Sequence, residues 1–187
     1  MIRAGAIDKG MFLLVKDQPH LVAEREFVNP GKGSAFVRVK LKNLMTGQVL
    51  RETFKSNENI GEAEVYEKPG QYLYADETGF HFMDTESYDQ FTISNEAVGG
   101  KGKLIKEGDT YRIIMWESDP IDIQLPYKLV YKVTDAPEAV KGDTVTGGTK
   151  SVTVETGLDV KVPLFIKEGD KILVNTETGE YVERVND

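Results

Sequence analysis

The sequence predicts an all-β fold of the sandwich or barrel type, and three observations support this. Short runs rich in β-branched and aromatic residues recur along the chain. Turn signals that contain glycine separate these runs, for example Thr46-Gly47 and Glu168-Gly169-Asp170. No long helical period is present, although residues 87–98 could hold a short turn of helix.

The clearest predicted strand covers residues 35–42, where apolar and polar side chains alternate. One face is formed by Ala35, Val37, Val39 and Leu41. The other face is formed by Phe36, Arg38, Lys40 and Lys42. The pattern predicts a half-buried strand whose outer face is basic and carries one aromatic ring. Further strands are predicted within residues 72–74, 80–83, 111–116, 129–133 and 171–174.

Two breaks divide the chain into three predicted units. Residues 57–64 are polar and could form a linker, and Pro126 interrupts a possible strand near residues 124–127. The predicted domains are therefore residues 1–64, 65–126 and 127–187. Each is small for an independent core, so we expect neighbouring domains to dock or to share buried surface.

Charge is unevenly distributed between these units. The whole chain has a formal net charge of −8, but residues 1–64 carry ten basic and eight acidic side chains. Residues 65–126 carry five basic and twelve acidic side chains, and residues 25–55 carry seven basic and only two acidic ones. A phosphate-rich partner would therefore be attracted first to the stretch around residues 25–55.

Composition and spacing exclude several classes of site. The chain contains no Cys, which excludes disulfides, thiol nucleophiles and zinc-thiolate sites and suits a reducing, cytoplasmic location. No apolar run approaches the ~20 residues that span a membrane. His20 and His81 lack metal-ligand spacing, so we expect no metal. Residues 99–103 resemble a phosphate loop but lack its full pattern, and a flexible turn is the better interpretation. We expect no cofactor and no enzymatic activity.

A short motif, Asn29-Pro30-Gly31-Lys32-Gly33, lies between two strand patterns. Pro30 and Gly31 suit the two central positions of a type II turn, with Gly31 adopting a positive φ. Both neighbours of Lys32 lack a Cβ, so its side chain is uncrowded at the predicted tip.

Two interpretations of this tip remain open from the residues alone. The first is an ordinary surface turn with a solvated lysine. The second is a lysine held out on a stiff hairpin so that it reaches into a narrow site. The neighbouring basic face of Arg38, Lys40 and Lys42 favours the second interpretation, because such a face can follow a phosphate backbone.

Three stretches of the chain, in the same order, resemble the bacterial elongation factor P family. The first is the tip motif with its flanking strands. The second is Lys141-Gly142-Asp143-Thr144 with residues 147–150. The third runs from Thr156 through residues 168–170 to Tyr181 and Val182. The similarity extends over essentially the whole chain.

This resemblance implies a fold and a function. The family has an SH3-like (KOW-type) barrel followed by two OB-fold barrels in an L shape that resembles a tRNA. It binds the ribosome between the P and E sites and rescues ribosomes stalled on consecutive prolines. The residue that matches Lys32 lies near the CCA end of the P-site tRNA, and in many members a lysine there is lengthened by a modifying enzyme.

The resemblance also implies partners and further contact residues. They are the 70S ribosome with its RNA and proteins, the P-site peptidyl-tRNA and the E-site mRNA codon, and we expect a monomer. The loop of Gly142, Asp143 and Thr144 would approach the E-site codon, and Tyr181 and Arg184 would contact RNA. Asn29 departs from the family, because many members carry a basic residue there. The alternative is a generic OB-fold module that binds single-stranded nucleic acid without the ribosome.

Overall fold

The computed structural model describes residues 1–138 and 148–186, and in these residues the chain forms three antiparallel sheets. The first sheet has six strands in the order β1-β6-β2-β3-β4-β5. Their bounds are Ile2–Arg3 (β1), Phe12–Val15 (β2), Gln18–Val28 (β3), Phe36–Asn43 (β4), Val49–Lys55 (β5) and Asn59–Glu62 (β6). The prediction of an all-β chain is confirmed.

The second and third sheets have five strands each. The second, in the order β11-β10-β7-β8-β9, is built from Val65–Asp76 (β7), Gly79–Asp84 (β8), Gln90–Ile93 (β9), Thr110–Trp116 (β10) and Asp119–Gln124 (β11). The third, in the order β14-β13-β12-β15-β16, is built from Lys128–Asp135 (β12), Thr149–Val154 (β13), Asp159–Pro163 (β14), Lys171–Asn175 (β15) and Tyr181–Val185 (β16). Each strand segment predicted from the sequence lies within one of these strands, except that the segment 35–42 begins at Ala35, one residue before β4.

Helical structure is short. The α-helix α1 covers Asn95–Val98, and its N-terminus is capped by the Ser94 side chain, which accepts a hydrogen bond from the backbone N–H of Ala97 at 3.2 Å. Two 3₁₀ segments cover Ala4–Ala6 and Gly99–Lys103. Residues 99–103, which resemble a phosphate loop in sequence, therefore form a 3₁₀ turn. In the part of the chain described above, no helix has the length and apolarity needed to cross a bilayer.

The strand β4 has the predicted alternation. Val37, Val39 and Leu41 are buried, whereas Arg38 is exposed and Lys40 is partly exposed. The buried side chains pack in the core of the first sheet with Leu13. The alternation predicted the core face correctly because one face of an antiparallel sheet is buried and the other meets water.

The proposed linker at residues 57–64 is only partly a linker. Asn59–Glu62 forms β6, which pairs with both β1 and β2 in the first sheet. Only Ala63 and Glu64 lie between β6 and β7. The polar composition of the segment suggested a loop, but a strand that is exposed on one face also tolerates polar residues.

The first and second sheets are joined by shared contacts. Leu44, which directly follows β4, packs in one cluster with Ile114 and Ile121 of the second sheet. In the β4–β5 turn, a Cβ added to Gly47 would lie 2.8 Å from the carbonyl oxygen of Glu96. These contacts agree with a single compact unit that comprises Met1–Gly99 and Thr110–Ile123.

The remaining residues form a second compact unit, Gly100–Asp109 together with Gln124–Asp187. Its core is centred on Tyr131, which is fully buried and donates its hydroxyl hydrogen to the carbonyl oxygen of Leu104 at 2.5 Å. Lys106 forms an ion pair with Glu155 at 3.0 Å in the same unit. The segment 100–109 therefore packs with the third sheet, although it lies between α1 and β10 in the sequence.

Candidate functional site

The candidate site is the hairpin formed by β3 and β4. The two strands pair antiparallel from His20↔Asn43 to Val28↔Phe36. The register shifts at Ala23, which lies in a β-bulge between Val22 and Glu24. The bulge determines which side chains of β3 share a face with the basic side chains of β4.

The tip of the hairpin is the seven-residue loop 29–35. Lys32 lies in its centre and is exposed. A Cβ added to Gly31 or Gly33 would meet no atom within 4 Å, so the loop is open on both sides of the lysine. The predicted type II turn is wrong, because Gly31 does not have a positive φ. Gly33 does, with φ of 108°, and residues 31–33 form bends.

The contacts of the Lys32 ammonium bear on the two interpretations of the tip. Among the residues that the structure describes, none forms an ion pair or a hydrogen bond with it. A protonated amine with three donors is therefore available to an external acceptor. The second interpretation of the tip requires a lysine that extends away from the protein, and the exposed Lys32 meets this requirement.

The outer face of the hairpin is less basic than predicted. Lys40 contacts Glu24, with 2.8 Å between Nζ and Oε1, and Arg38 contacts Glu26 at 3.5 Å. The hydrogen bond from Lys40 lowers the pKa of Glu24 below its usual value. The Arg38 guanidinium also lies 5.2 Å from the ring centre of Phe36. Two of the three predicted basic residues are therefore held by glutamates of β3.

Lys42 is directed elsewhere. Its Nζ donates to the carbonyl oxygen of Ala97 in α1 at 3.4 Å, which places it at the junction of the first and second sheets. Its assignment as an RNA-binding residue stays a prediction, but its ammonium already has a protein acceptor.

Two further basic side chains on the same face were not predicted. Arg51 pairs opposite Lys40, and Lys55 pairs opposite Phe36, because β5 lies beside β4. Both are exposed. The alternation in Val49–Lys55 would have identified them, since every second position of this strand is exposed and Arg51 and Lys55 both lie on that exposed face. The face thus carries a net positive charge even with its glutamates.

The opposite face of the hairpin carries another pair that sequence reasoning missed. Phe27 pairs opposite Val37, so its ring lies on the core side of the sheet, yet the residue is 44% exposed. The Arg25 guanidinium lies 5.6 Å from the centre of the Phe27 ring. No pattern in the sequence predicts that Arg25 and Phe27 lie on this face, because the bulge at Ala23 determines their face.

The other predicted contact residues lie in the second compact unit. Tyr181 packs partly buried against its core, while Arg184 is exposed on β16 with its guanidinium 5.6 Å from the ring centre of Phe165. Phe165 is itself 56% exposed. The remaining predicted residues, Gly142, Asp143 and Thr144, lie outside the described residues.

No metal centre emerges from residues 1–138 and 148–186, where no group of three or more His, Asp or Glu side chains has suitable geometry. His81 instead contacts Asp76, with 3.0 Å between Nε2 and Oδ1, and stacks on Tyr74 with 4.4 Å between ring centres. Two hydrogen bonds lower the pKa of Asp76: the larger effect comes from the Thr78 side chain and the smaller from His81. These contacts describe a cross-strand cluster of the second sheet.

Three family models match consecutive parts of the chain. The KOW-like domain of elongation factor P matches residues 3–60, the OB domain of elongation factor P matches residues 65–123, and the C-terminal model of elongation factor P matches residues 129–184. The KOW-like and OB matches confirm the predicted fold class.

Full-length relatives agree with these matches. A protein named elongation factor P from Treponema denticola is 53% identical over 186 residues, covering 100% of both chains. Another of the same name from Treponema pallidum (strain Nichols) is 54% identical over 187 residues, also covering 100% of both chains. Among solved structures, eukaryotic translation initiation factor 5A from Methanococcus jannaschii superposes with a TM-score of 0.52 at 17% identity. That match covers 66% of this chain and 90% of the other and shows a likeness of fold.

Proposed function

The chain belongs to the elongation factor P family, and from this we propose that Lys32 positions the acceptor end of the P-site tRNA on the ribosome. The family makes it a translation elongation factor and not an enzyme. In this proposal the protein binds the 70S ribosome between the P and E sites, contacts the E-site codon and relieves stalling at consecutive prolines. An enzyme that modifies Lys32 would extend its reach.

The observation that carries the proposal is the exposed ammonium of Lys32 on an open loop. The loop is supported by an eleven-residue strand, Gln18–Val28, whose last residue is still paired with the first residue of β4. A stiff stem of this kind fixes the direction of the tip at little further entropic cost. The missing Cβ atoms of Gly31 and Gly33 leave the sides of the lysine open, so it can enter a narrow site.

The chemistry follows from positioning. Proline reacts slowly in peptide-bond formation, and a loosely held peptidyl-tRNA spends little time in the reactive geometry. A cation that donates hydrogen bonds to RNA backbone oxygens would restrict the acceptor end and lower the entropic part of the barrier. Lys32 need not transfer a proton in this mechanism. Arg38, Arg51 and Lys55 would hold phosphates along the outer face of the hairpin.

The generic nucleic-acid alternative has less support. The OB domain of residues 65–123 lies in the most acidic part of the chain, which repels a phosphate backbone. The strands of the second sheet contain two basic side chains, Lys68 and Arg112, and these pair with Asp84 and Glu67, whereas single-strand binders use a positively charged groove.

The test compares Lys32→Ala with Lys161→Ala, which removes an exposed lysine from β14 in the second compact unit. Translation of a reporter with a proline run is measured against a proline-free reporter, in extracts that lack the parent protein. We expect Lys32→Ala to slow only the proline reporter, by at least about tenfold, because positioning is lost. Lys161→Ala should behave like the parent.

Stability and modification are measured on the same samples. Urea unfolding of Lys32→Ala should match the parent, because no described residue forms an ion pair or a hydrogen bond with the Lys32 side chain. Mass mapping of the peptide that contains Lys32 shows whether the native protein carries a modification. Parental activity of Lys32→Ala on the proline reporter would refute the proposed function.

A further inference from the structure

Phe27 is exposed in a position where the fold does not use it. Its ring is on the core side of the first sheet, beside buried Val37, but it does not belong to the set of side chains packed on that core. It lies in the last pair but one before the tip loop, on the face of the hairpin opposite to Arg38 and Lys40. An aromatic ring exposed this close to a functional tip can stack on a partner and is therefore a candidate contact.

The ring is held in place from the protein side. The Arg25 guanidinium lies over it at 5.6 Å, and the same guanidinium group donates from Nη2 to the carbonyl oxygen of Gly5 at 3.3 Å. Arg25 Nε also lies 4.0 Å from Asp8 Oδ1. These contacts anchor Arg25 to the segment after β1, so Phe27 is backed by a cation with restricted motion. A pre-positioned aromatic ring loses little entropy when a partner stacks on it.

The surroundings fit RNA more closely than a protein partner. Phe27 lies within the stretch 25–55, which carries seven basic and two acidic side chains, and it is close in sequence to the site proposed for Lys32. Unstacked bases of single-stranded RNA bind aromatic faces and guanidinium groups. The outer face of the hairpin carries cations that can bind phosphates, whereas the opposite face carries the Phe27 ring, which can stack on a base.

We propose that Phe27 stacks on a nucleobase of the single-stranded acceptor end of the P-site tRNA, so that RNA contacts the hairpin on both faces. The inference rests on the proposed function and assigns a base-contacting residue to it. Lys32 and the outer face then hold the backbone, and Phe27 fixes the orientation of a base.

A structural role for Phe27, as a cover for Val37, predicts different behaviour, and two variants separate the two roles. Phe27→Leu keeps an apolar cover and removes the ring, and Phe27→Tyr keeps the ring. Tyr127→Leu is the matched control, since Tyr127 is an exposed aromatic residue in the second compact unit. Fluorescently labelled full-length protein is titrated onto 70S ribosomes that carry a P-site tRNA, either intact or lacking all the unpaired nucleotides of its 3′ end.

Stacking on one base predicts that Phe27→Leu weakens binding to ribosomes with intact tRNA by about 5- to 100-fold. Phe27→Tyr and Tyr127→Leu should bind like the parent. With the shortened tRNA, the parent and Phe27→Leu should bind equally, because the base that the ring contacts is absent.

Three results would overturn the inference. Parental binding by Phe27→Leu, with Lys32→Ala still defective, would remove the role of Phe27 and leave the proposed function intact. An equal loss for Phe27→Leu on both tRNAs would show that the ring does not read the acceptor end. A loss in both Phe27 variants, accompanied by a lower urea midpoint, would make Phe27 a structural residue. If Lys32→Ala also bound and acted normally, the proposed function itself would fail.

Discussion

Gly47 gives a quantitative test of how the first and second sheets are joined. Its φ is 74°, and an added Cβ would lie 2.8 Å from the carbonyl oxygen of Glu96, in α1. Gly47→Ala therefore has two costs. An alanine in the left-handed region costs about 1–2 kcal/mol. The contact with a backbone oxygen adds about 1–3 kcal/mol, because the turn or α1 must move.

Gly10 offers a matched control for the backbone cost. Its φ is 90°, and an added Cβ would meet no atom within 4 Å. Gly10→Ala should thus lower the free energy of unfolding only by the backbone conformational cost. The difference between the two variants isolates the contact between the sheets, about 2 kcal/mol, which corresponds to roughly 8 °C in the unfolding midpoint of a unit of this size.

The assay can follow one residue. Trp116 is the only tryptophan of the chain, and it packs against the cluster of Leu44, Ile114 and Ile121 that joins the two sheets. Its fluorescence during urea and thermal unfolding therefore reports the junction directly. If Gly47→Ala lost no more stability than Gly10→Ala, the close approach at Glu96 would contribute nothing, and the two sheets would not be joined at this turn.

Two further predictions concern charge. Replacing both Glu24 and Glu26 with Gln should free the two cations on the outer face, tighten ribosome binding and increase the slope of log affinity against log salt by up to about 2; an unchanged slope would mean that these cations do not contact phosphates. The pKa of Asp84 is lowered because the backbone N–H groups of Glu86 and Ser87 donate to its carboxylate. A lowered carboxyl pKa stabilises the fold above the unfolded value of ~3.9, and this stabilisation is lost as the pH falls through the folded value. The urea midpoint of Asp84→Asn should therefore lie below the parent's at pH 7 and approach it near pH 3, and a gap that does not change with pH would contradict this.

The local pattern of the sequence was sufficient for the fold class and for the tip. Alternation in residues 35–42 predicted both faces of β4, because burial on one face of a sheet imposes a period of two. The sequence also predicted that Lys32 lies at an exposed tip, since proline restricts the backbone locally and glycine makes it more flexible. The turn type was wrong, because the loop is seven residues long and places its positive φ at Gly33.

The pairing between strands that are distant in sequence could not be predicted in this way. Without the bulge at Ala23, Arg25 would stand opposite Arg38, and Phe27 opposite Phe36. The additional residue instead sets Glu24 and Glu26 against the cations of β4 and turns Phe27 to the other face.

The sequence by itself determined that this is an all-β chain with a lysine at an exposed tip, because those features depend on neighbouring residues. The tertiary structure decided which charges are neutralised, which ring is exposed and how Lys42 is engaged. These depend on register, and a shift of one residue in a strand exchanges every side chain between its two faces.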